Sequence, residues 1–313
     1  MLLQEALTRG TFAITAEVTP PRGADPARTL AAAAGLKGLV HAVNVTDGSR
    51  AVMRMSSIAV CRLLLEAGLE PVLQMACRDR NRIALQADLL GAHALGLRNL
   101  LCLTGDPVKA GDQPDARAVN ELESVRLLQL VAQLNAGSDP VKGVLPDGGT
   151  AFFAGAAADP QSPSRSGLVA RLKRKQQAGA RFLQTQMVTD AEALRRFVGD
   201  IAGPLGLPVL AGVFLLKSAK NAAFINRVVP GANIPQALID RLAAAPDPAA
   251  EGIAIAAEQV ALYGQIAQGV HLMAIKAEER IPEILRQAGI APLAGGPQGQ
   301  VAAEQLGQSL LLR

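Results

Sequence analysis

Short apolar runs recur along the chain, and a longer stretch with helical periodicity separates most runs from the next. Each run is rich in Leu, Ala or β-branched residues and is largely apolar on both faces, which is typical of parallel strands covered by helices. The chain contains eight such runs, and each predicts a strand. They are Phe12–Thr19, Leu39–Asp47, Pro71–Cys77, Asn99–Asp106, Thr150–Ala158, Arg181–Val188, Pro208–Leu216 and Val270–Lys276.

The stretches between the runs carry helix start and stop signals. Gly68, Gly96 and Gly179 stand at helix exits, where glycine readily supplies a left-handed conformation. Two or three helices are expected between Ser218 and Gly269. The other predicted helices are Ala27–Leu36, Ile58–Ala67, Arg80–Leu95, Glu121–Leu134, Leu168–Ala178 and Asp190–Ile201, with N-caps at Asp25, Ser56 or Ser57, Asp79, Asn120, Ser166 and Thr189.

Eight strands, each followed by a helix, predict an α/β fold, a (β/α)8 TIM barrel in a single domain. An open doubly wound sheet is the alternative, but it usually needs a glycine-rich phosphate turn after the first strand. No GxGxxG follows Phe12–Thr19, and no GxxxxGK[ST] occurs in the chain. We expect the barrel to span residues 1–290, and residues 291–313 to form a tail, either a short helix over Val301–Leu312 or a loose segment.

Composition and charge exclude several classes of protein. Of the 313 residues, 50% are hydrophobic and 19% are charged, so the chain is not disordered. The net charge of +4 comes from scattered basic residues, and aromatic residues total 3%, so we expect no nucleic-acid partner. Charges interrupt every apolar segment and the N-terminal residues lack a signal-peptide core. We therefore expect no membrane span and a cytoplasmic location.

Polar residues interrupt the apolar runs or follow them directly. In such barrels the strand-to-helix loops converge at the carboxyl ends of the strands, which is where chemistry collects. A carboxylate in an apolar run is costly to bury, so Glu17 and Asp106 are the strongest candidates for function. Asp47 and Asp159 have an equally good interpretation as caps of the next helix. The polar positions are Glu17, Thr46, Asp47, Gln74, Asp106, Asp159, Gln186, Lys217 and His271.

The sequence contains little that indicates a metal site or a catalytic nucleophile. The chain has no HExxH and no Cys/His cluster, so no metal site is predicted. Cys61, Cys77 and Cys102 are odd in number and lack CxxC spacing, which favours free, mostly buried thiols. A GxSxG nucleophile elbow is also missing.

Many of the predicted strand ends carry motifs of one enzyme family. The motifs are Ala16-Glu17-Val18-Thr19-Pro20-Pro21-Arg22-Gly23, Val45-Thr46-Asp47-Gly48, Cys77-Arg78-Asp79-Arg80-Asn81, Leu103-Thr104-Gly105-Asp106-Pro107, Leu172-Lys173-Arg174-Lys175, Ala178-Gly179-Ala180 and Thr185-Gln186. With these motifs in this order, the chain resembles the methylenetetrahydrofolate reductases from about Phe12 to Glu283. These are flavin-dependent (β/α)8 barrels of one-carbon metabolism and methionine biosynthesis. Each motif is weak alone, and their order makes the resemblance specific.

The resemblance implies an oxidoreductase that converts 5,10-methylenetetrahydrofolate to 5-methyltetrahydrofolate, or the reverse. It implies FAD as cofactor, with electrons from NADH, NADPH or a partner subunit. By motif position, Glu17 and Asp106 match the family's catalytic residues. Glu17 would deliver the proton that helps to open the imidazolidine ring, and Asp106 would favour the cationic iminium intermediate by its charge.

The same resemblance assigns binding positions. Gln186 matches the amide that binds the pterin, and Ala219 lies near the position where some members place a Phe against substrate and nicotinamide. Gln74 stands where many members carry His, and Val18 and Thr19 replace two aromatic residues. The implied cofactor-binding positions are Thr46, Gln74, Gly105, Asp106, Asp159, Lys175 and Ala180.

Two alternatives remain open. One is a related flavin barrel that oxidises another amine, although Glu17, Asp106 and Gln186 at their motif positions favour folate. The other is a non-catalytic subunit that binds folate or flavin in a methyltransferase complex. Bound FAD that is bleached by methyltetrahydrofolate would distinguish a catalyst from such a subunit. The partners implied by the resemblance are the folate substrate and either a second copy of the chain, in a homo-oligomer, or an electron-donating or methyltransferase partner subunit.

Overall fold

Eight parallel strands close into a barrel in the computed structural model, which describes residues 1–229 and 231–293. All eight predicted strands and the TIM-barrel fold are confirmed. Each barrel strand pairs with the next barrel strand along the chain, and the last pairs with the first. The barrel strands are β1 (Ala13–Val18), β2 (Ala42–Val45), β3 (Pro71–Ala76), β4 (Asn99–Leu103), β7 (Phe153–Ala158), β8 (Phe182–Met187), β9 (Val209–Phe214) and β10 (Gly269–Met273), while β5 (Ser138–Asp139) and β6 (Gly143–Val144) form a small antiparallel hairpin.

Helices pack around the outside of the barrel, and one short helix before the first strand lies across its amino-terminal end. They are α1 (Leu3–Thr8), α2 (Ala27–Ala34), α3 (Ser57–Glu66), α4 (Arg82–Ala94), α5 (Ser124–Asn135), α6 (Arg165–Gln177), α7 (Ala191–Phe197), α8 (Ala219–Val228), α9 (Gln236–Ala244), α10 (Pro248–Tyr263) and α11 (Ile281–Gln287). A π-helical turn over Val198–Ala202 continues α7, where the sequence predicts one longer helix. The predicted tail helix over Val301–Leu312 lies outside the described residues.

Four helices have their N-cap one to three residues away from the position that the sequence predicts. The capping side chains belong to Asn81, Glu123, Ser164 and Asp190, rather than to Asp79, Asn120, Ser166 and Thr189. In each helix the cap accepts a hydrogen bond from a backbone N–H two or three residues ahead, which is the geometry that satisfies a free donor of the first turn. The predicted Asp25 does accept from Ala27 N at 2.9 Å.

The outer core lies between the barrel and its helices. Outward side chains of the strands, such as Ile14, Val43 and Leu183, pack there against helical residues such as Leu64 and Leu127. Side chains alternate across a strand, so the intervening positions of each strand face the barrel interior. On β1, this alternation turns Thr15 and Glu17 inward.

A second, smaller core fills the amino-terminal end of the barrel, which we call the floor. The six-residue helix α1 covers it, although the sequence pattern does not predict this helix. Its Leu3 backbone N–H donates to Glu70 Oε2 at 2.8 Å, which fastens α1 to the start of β3. The floor core contains Leu3, Ala6, Leu7, Ala13, Ala42, Val72, Leu101, Phe153, Phe182 and Leu210.

The opposite end, where the strands finish, is the mouth of the barrel. Because α1 and the floor core close the other end, a ligand can reach interior polar groups only from the mouth. Among residues 1–229 and 231–293, no helix combines the length and apolar character needed to cross a bilayer.

Candidate functional site at the barrel mouth

Glu17 lies in the barrel interior close to the end of β1, and its side chain is 15% exposed. Its Oε2 accepts a hydrogen bond from Gln74 Nε2 at 3.3 Å. The same oxygen lies 3.6 Å from His271 Nε2. Glu17, Gln74 and His271 come from β1, β3 and β10, so three strands that are far apart in sequence converge on one carboxylate.

Below Glu17, the barrel interior is unusually polar for a region so deeply buried. Thr15, Asn44, Gln184 and His271 are all at most 6% exposed. Asn44 Oδ1 lies 3.5 Å from Gln74 Nε2, while Asn44 Nδ2, Gln184 Oε1 and His271 Nε2 have no hydrogen-bond partner among the described residues. Buried polar atoms without partners are costly. Their presence in one layer indicates that this interior serves function rather than stability.

Sequence reasoning missed three members of this layer. His271 is among the predicted polar positions, but Thr15, Asn44 and Gln184 are not. The signal was available, because all three are polar residues at inward positions of otherwise apolar strands. These polar residues can be identified as site candidates only when it is known which face of each strand points into the barrel.

Asp106 follows β4 at the mouth and is exposed. Its Oδ2 accepts a hydrogen bond from the backbone N–H of Arg50 at 2.5 Å. Arg50 and Ala51 both have positive φ, at 57° and 54°, in the loop after β2. Such non-glycine residues carry strain, and here the strained loop presents a donor to the Asp106 carboxylate. Glu17 and Asp106 therefore lie at the same end of the barrel.

Arg78 ties the loops of the mouth together. It is 5% exposed, and its guanidinium donates to Gly48 O at 3.1 Å and to Asp106 O at 3.4 Å. The hydrogen bonds to Asp79 raise the pKa of Arg78 above its ordinary value. A Cβ on Gly105 would lie 2.8 Å from Arg78 Cβ, so glycine at 105 lets the Asp106 loop pack on this arginine.

Gln186 owes its position to an irregularity in β8. The pairing of β8 with β9 shifts between Gln184 and Met187, which marks a bulge. Thr185 Oγ1 accepts from Gly212 N at 2.8 Å and donates to Gln186 O at 2.7 Å. A Cβ on Gly212 would lie 2.4 Å from Gln186 O. Bulges beside active sites re-aim side chains, and Gln186 is exposed at the mouth.

Lys175 lines a cleft beside Gln186. The cleft has a volume of about 200 Å³ and is also lined by Asp159 and Arg171. Lys175 Nζ donates to Ala157 O at 2.7 Å, and burial lowers the pKa of this ammonium. Lys175 is therefore not simply part of a solvated helix face. A larger groove of about 520 Å³ lies between α4, α5 and α6 and includes none of the candidate residues.

Asp47 and Asp159, for which the sequence equally favours a role as helix caps, do not cap helices. Asp159 Oδ1 accepts from Gln161 N at 2.9 Å in a turn, while Ser164 caps α6. Asp47 Oδ2 pairs with Arg80 at 2.6 Å and accepts from Ala76 N at 2.9 Å. Asp47 thus fastens the ends of β2 and β3 to each other.

The remaining candidates divide between the two ends of the barrel. Thr46 directly follows β2 at the mouth, and its buried Oγ1 has no partner among the described residues. Lys217 and Ala219 lie in and just after the loop that follows β9. Ala180 is the exception, because it precedes β8 and its neighbour Arg181 donates to Ala154 O near the start of β7. Ala180 is buried toward the floor and does not join the other candidates.

Metal ligands and reactive thiols do not form part of this arrangement. Within residues 1–229 and 231–293, no three His, Cys, Asp or Glu side chains are grouped as metal ligands would be. Cys61, Cys77 and Cys102 are free and buried, as predicted. Burial raises the pKa of the Cys77 thiol to about 12, so it is a poor nucleophile at neutral pH.

Comparison with known proteins gives one family. The family model for methylenetetrahydrofolate reductase matches residues 2–289. A Caenorhabditis elegans protein named "Probable methylenetetrahydrofolate reductase (NADPH)" is 28% identical over 78% of this chain and 36% of its own length. Methylenetetrahydrofolate reductase 1 of Schizosaccharomyces pombe is 27% identical over 54% of this chain and 26% of its own. The aligned regions thus cover about a third or less of these relatives.

Among solved structures, a Clostridium thermocellum protein has a similar fold. It is described as binding two copies of 5-methyl-5,6,7,8-tetrahydrofolic acid. The two structures superpose with a TM-score of 0.62 and 14% sequence identity, over 92% of this chain and 98% of that one. At this identity, the similarity establishes a shared barrel fold.

Proposed function

Because the chain belongs to the methylenetetrahydrofolate reductase family, we propose that it reduces 5,10-methylenetetrahydrofolate to 5-methyltetrahydrofolate. The observation that supports this most directly is Glu17, a carboxyl group near the end of a buried strand that accepts a hydrogen bond from Gln74 on β3 and lies 3.6 Å from His271 Nε2 on β10. A barrel built for stability alone would place an apolar side chain there.

Glu17 is proposed as the general acid. Opening the five-membered ring of the substrate to an iminium needs a proton on the departing amine nitrogen. Glu17 can supply it from the mouth, since its side chain is partly exposed while its Oε2 accepts a hydrogen bond from Gln74. The barrel interior near Glu17 contains buried polar side chains, among them Gln74 and His271.

Asp106 and Gln186 are proposed to bind and stabilise the substrate. Asp106 brings a negative charge to the mouth, where it would stabilise the positive charge of the iminium. The Arg50 N–H holds that carboxylate in place. Gln186 has both a donor and an acceptor, which suits the edge of a pterin. Ala219, at the start of α8, leaves the substrate side of the mouth without an aromatic ring at that position.

The residues at the mouth fit FAD as a non-covalent cofactor. Thr46 offers a buried hydroxyl with no partner among the described residues, and Arg171 and Lys175 bring two cations to the cleft beside Gln186. We propose that Lys175 and Arg171 hold its phosphates, and that Thr46, Gln74, Gly105, Asp106 and Asp159 lie along the rest of it. FAD supplies the hydride for the reaction when it is bound. NADPH is the proposed source of electrons, with NADH as the alternative, in keeping with the name of the nematode relative.

An absorbance experiment tests this function. We expect purified protein reconstituted with FAD to show a flavin spectrum that NADPH or NADH bleaches under anaerobic conditions. Methylenetetrahydrofolate should then restore the oxidised spectrum and yield methyltetrahydrofolate in equal amount. Folate binding without any reoxidation would favour the non-catalytic subunit instead. Reoxidation by an unrelated amine-derived substrate alone would favour the other flavin barrel.

A further inference from the structure

His271 is the most deeply buried titratable side chain near the proposed acid. It lies on β10 and is 1% exposed. Its Nδ1 lies 3.0 Å from Thr15 Oγ1, within hydrogen-bond distance. Its Nε2 has no hydrogen bond within the described residues and lies 3.6 Å from Glu17 Oε2. A buried ring nitrogen without a partner is costly, so this contact needs an explanation.

Thr15 is the hydrogen-bond partner of His271 that bears on which ring nitrogen carries the proton. Its hydroxyl has one hydrogen and lies 3.0 Å from His271 Nδ1 and 3.4 Å from Val270 O. The shorter contact favours donation to Nδ1, which leaves that nitrogen unprotonated. The neutral imidazole then carries its proton on Nε2, the nitrogen that faces Glu17. A Thr15 hydroxyl that donates to Nδ1 thus sets the tautomer, as the partner of the other ring nitrogen commonly does for histidines in functional sites.

The two contacts to Glu17 fall on one oxygen. Gln74 Nε2 donates to Oε2, and His271 Nε2 approaches the same atom. Once both N–H groups donate to Oε2, that oxygen is the less favourable place for the carboxyl proton. The proton of the neutral acid therefore belongs on Oε1, which takes part in no hydrogen bond within the described residues.

We propose that His271, oriented by Thr15, is a positioning residue that donates from Nε2 to Glu17 Oε2 and so directs the acid proton to Oε1. This inference rests on the proposed function, because it concerns the group that protonates the folate amine. The 3.6 Å separation is longer than a hydrogen bond. Such contacts commonly shorten when substrate is bound, and bound substrate would also exclude water from Glu17.

In the part of the chain that the structure describes, no titratable group other than Glu17 faces His271 in the barrel interior. The inward positions on the strands that surround it are Asn44 on β2, Gln74 on β3, Gln184 on β8 and Gly212 on β9. None of these four side chains titrates. Among the described residues, Asp106 and Lys217 lie on loops at the mouth, and Glu70 lies at the floor. Within residues 1–229 and 231–293, Glu17 is therefore the one ionisable side chain that faces the ring.

Kinetics of paired variants test the positioning role. We expect His271→Leu to lower kcat for folate reduction by about tenfold or more, within the usual range for acid catalysis, with KM changed less than about twofold. His271→Gln should restore most of the rate, since its amide can donate at a similar place. The double variant Glu17→Gln, His271→Leu should be no slower than Glu17→Gln alone, because residues that act as a unit are non-additive.

The control is His93→Gln, on the outer face of the barrel, where the ring meets Phe152 edge-on. It should leave the rate of folate reduction unchanged. If His271→Leu reduced folate as fast as wild type, or if the double variant were slower in proportion to both single effects, the proposal would be overturned. A wild-type protein with no folate reductase activity would instead contradict the proposed function.

Nitrogen NMR provides a test that needs no turnover. The chain has three histidines, so spectra of protein with ¹⁵N-labelled histidine can be assigned with His93→Gln and one variant of His41. We expect His271 to show a protonated Nε2 and an unprotonated Nδ1, and Thr15→Val to reduce that preference. A ring protonated on Nδ1 alone would contradict the proposal, whether or not the protein is active, since Nε2 could then donate nothing to Glu17.

Discussion

Single side chains at the mouth act through the partners that hold them. Glu17, Asp106 and Lys175 are each anchored by a neighbour: Gln74, the Arg50 N–H and Ala157 O. None of these anchors could be derived from residue type alone. The sequence identifies the three charged groups because they interrupt apolar runs or occur in family motifs. Their partners depend on which strands are adjacent in the closed barrel.

A single substitution tests the proposed role of Lys175 in binding FAD. Lys175→Met keeps the aliphatic stem but removes the charge. Since a hydrogen bond to a charged group contributes about 1.5 to 3 kcal/mol, FAD should bind about tenfold more weakly or worse. Lys173→Met is the matched control, because Lys173 is exposed on the same helix. The Kd of FAD can be measured by fluorescence titration of the apoprotein. Equal affinities in the two variants would show that Lys175 does not hold the phosphates of FAD.

The sequence predicts the strands and most of the helices better than it predicts contacts between single side chains. All eight strands follow from apolar runs, because a strand buried on both faces leaves a strong signal. Helix α1 does not, since six residues are too few to show helical periodicity. The bulge at Thr185 and Gln186 is also invisible in the pattern. It depends on Gly212 in the neighbouring strand, which allows the backbones to approach.

Gly212 offers a test of that bulge. In Gly212→Ala, the new Cβ would meet Gln186 O at 2.4 Å and Thr185 O at 2.9 Å, and both are backbone atoms that cannot move cheaply. We expect a loss of about 1 to 3 kcal/mol in the free energy of unfolding, as for other overpacked sites. Because Gln186 would be displaced, the KM for folate should also rise.

Gly91→Ala is the control for this substitution. A Cβ at Gly91 on α4 meets nothing within 4 Å, so this variant should be as stable as wild type or slightly more stable. Urea denaturation and steady-state kinetics on both variants provide the comparison. A Gly212→Ala protein with unchanged folate KM would show that the bulge does not position Gln186 for substrate.

The molecule as a whole separates stability from chemistry along the barrel axis. The floor is apolar and covered by α1, whereas the interior nearer the mouth contains buried polar atoms that have no hydrogen-bond partner among the described residues. Ala180 does not join the site because the motif Ala178-Gly179-Ala180 lies where α6 ends and the chain enters β8. That point is at the floor end of the barrel, away from the mouth. Sequence order alone gives no distance from the mouth.

The central claim is that Glu17 is the acid for folate reduction, and the two half-reactions of Glu17→Gln test it most directly. Glutamine keeps the size and hydrogen bonding of Glu17 but does not readily donate a proton. Flavin reduction by NADPH needs no acid, so its rate should match wild type. Reoxidation by methylenetetrahydrofolate should slow by about 10²-fold or more. Stopped-flow absorbance follows both rates. An equal loss in the two half-reactions, or no loss in either, would contradict the account.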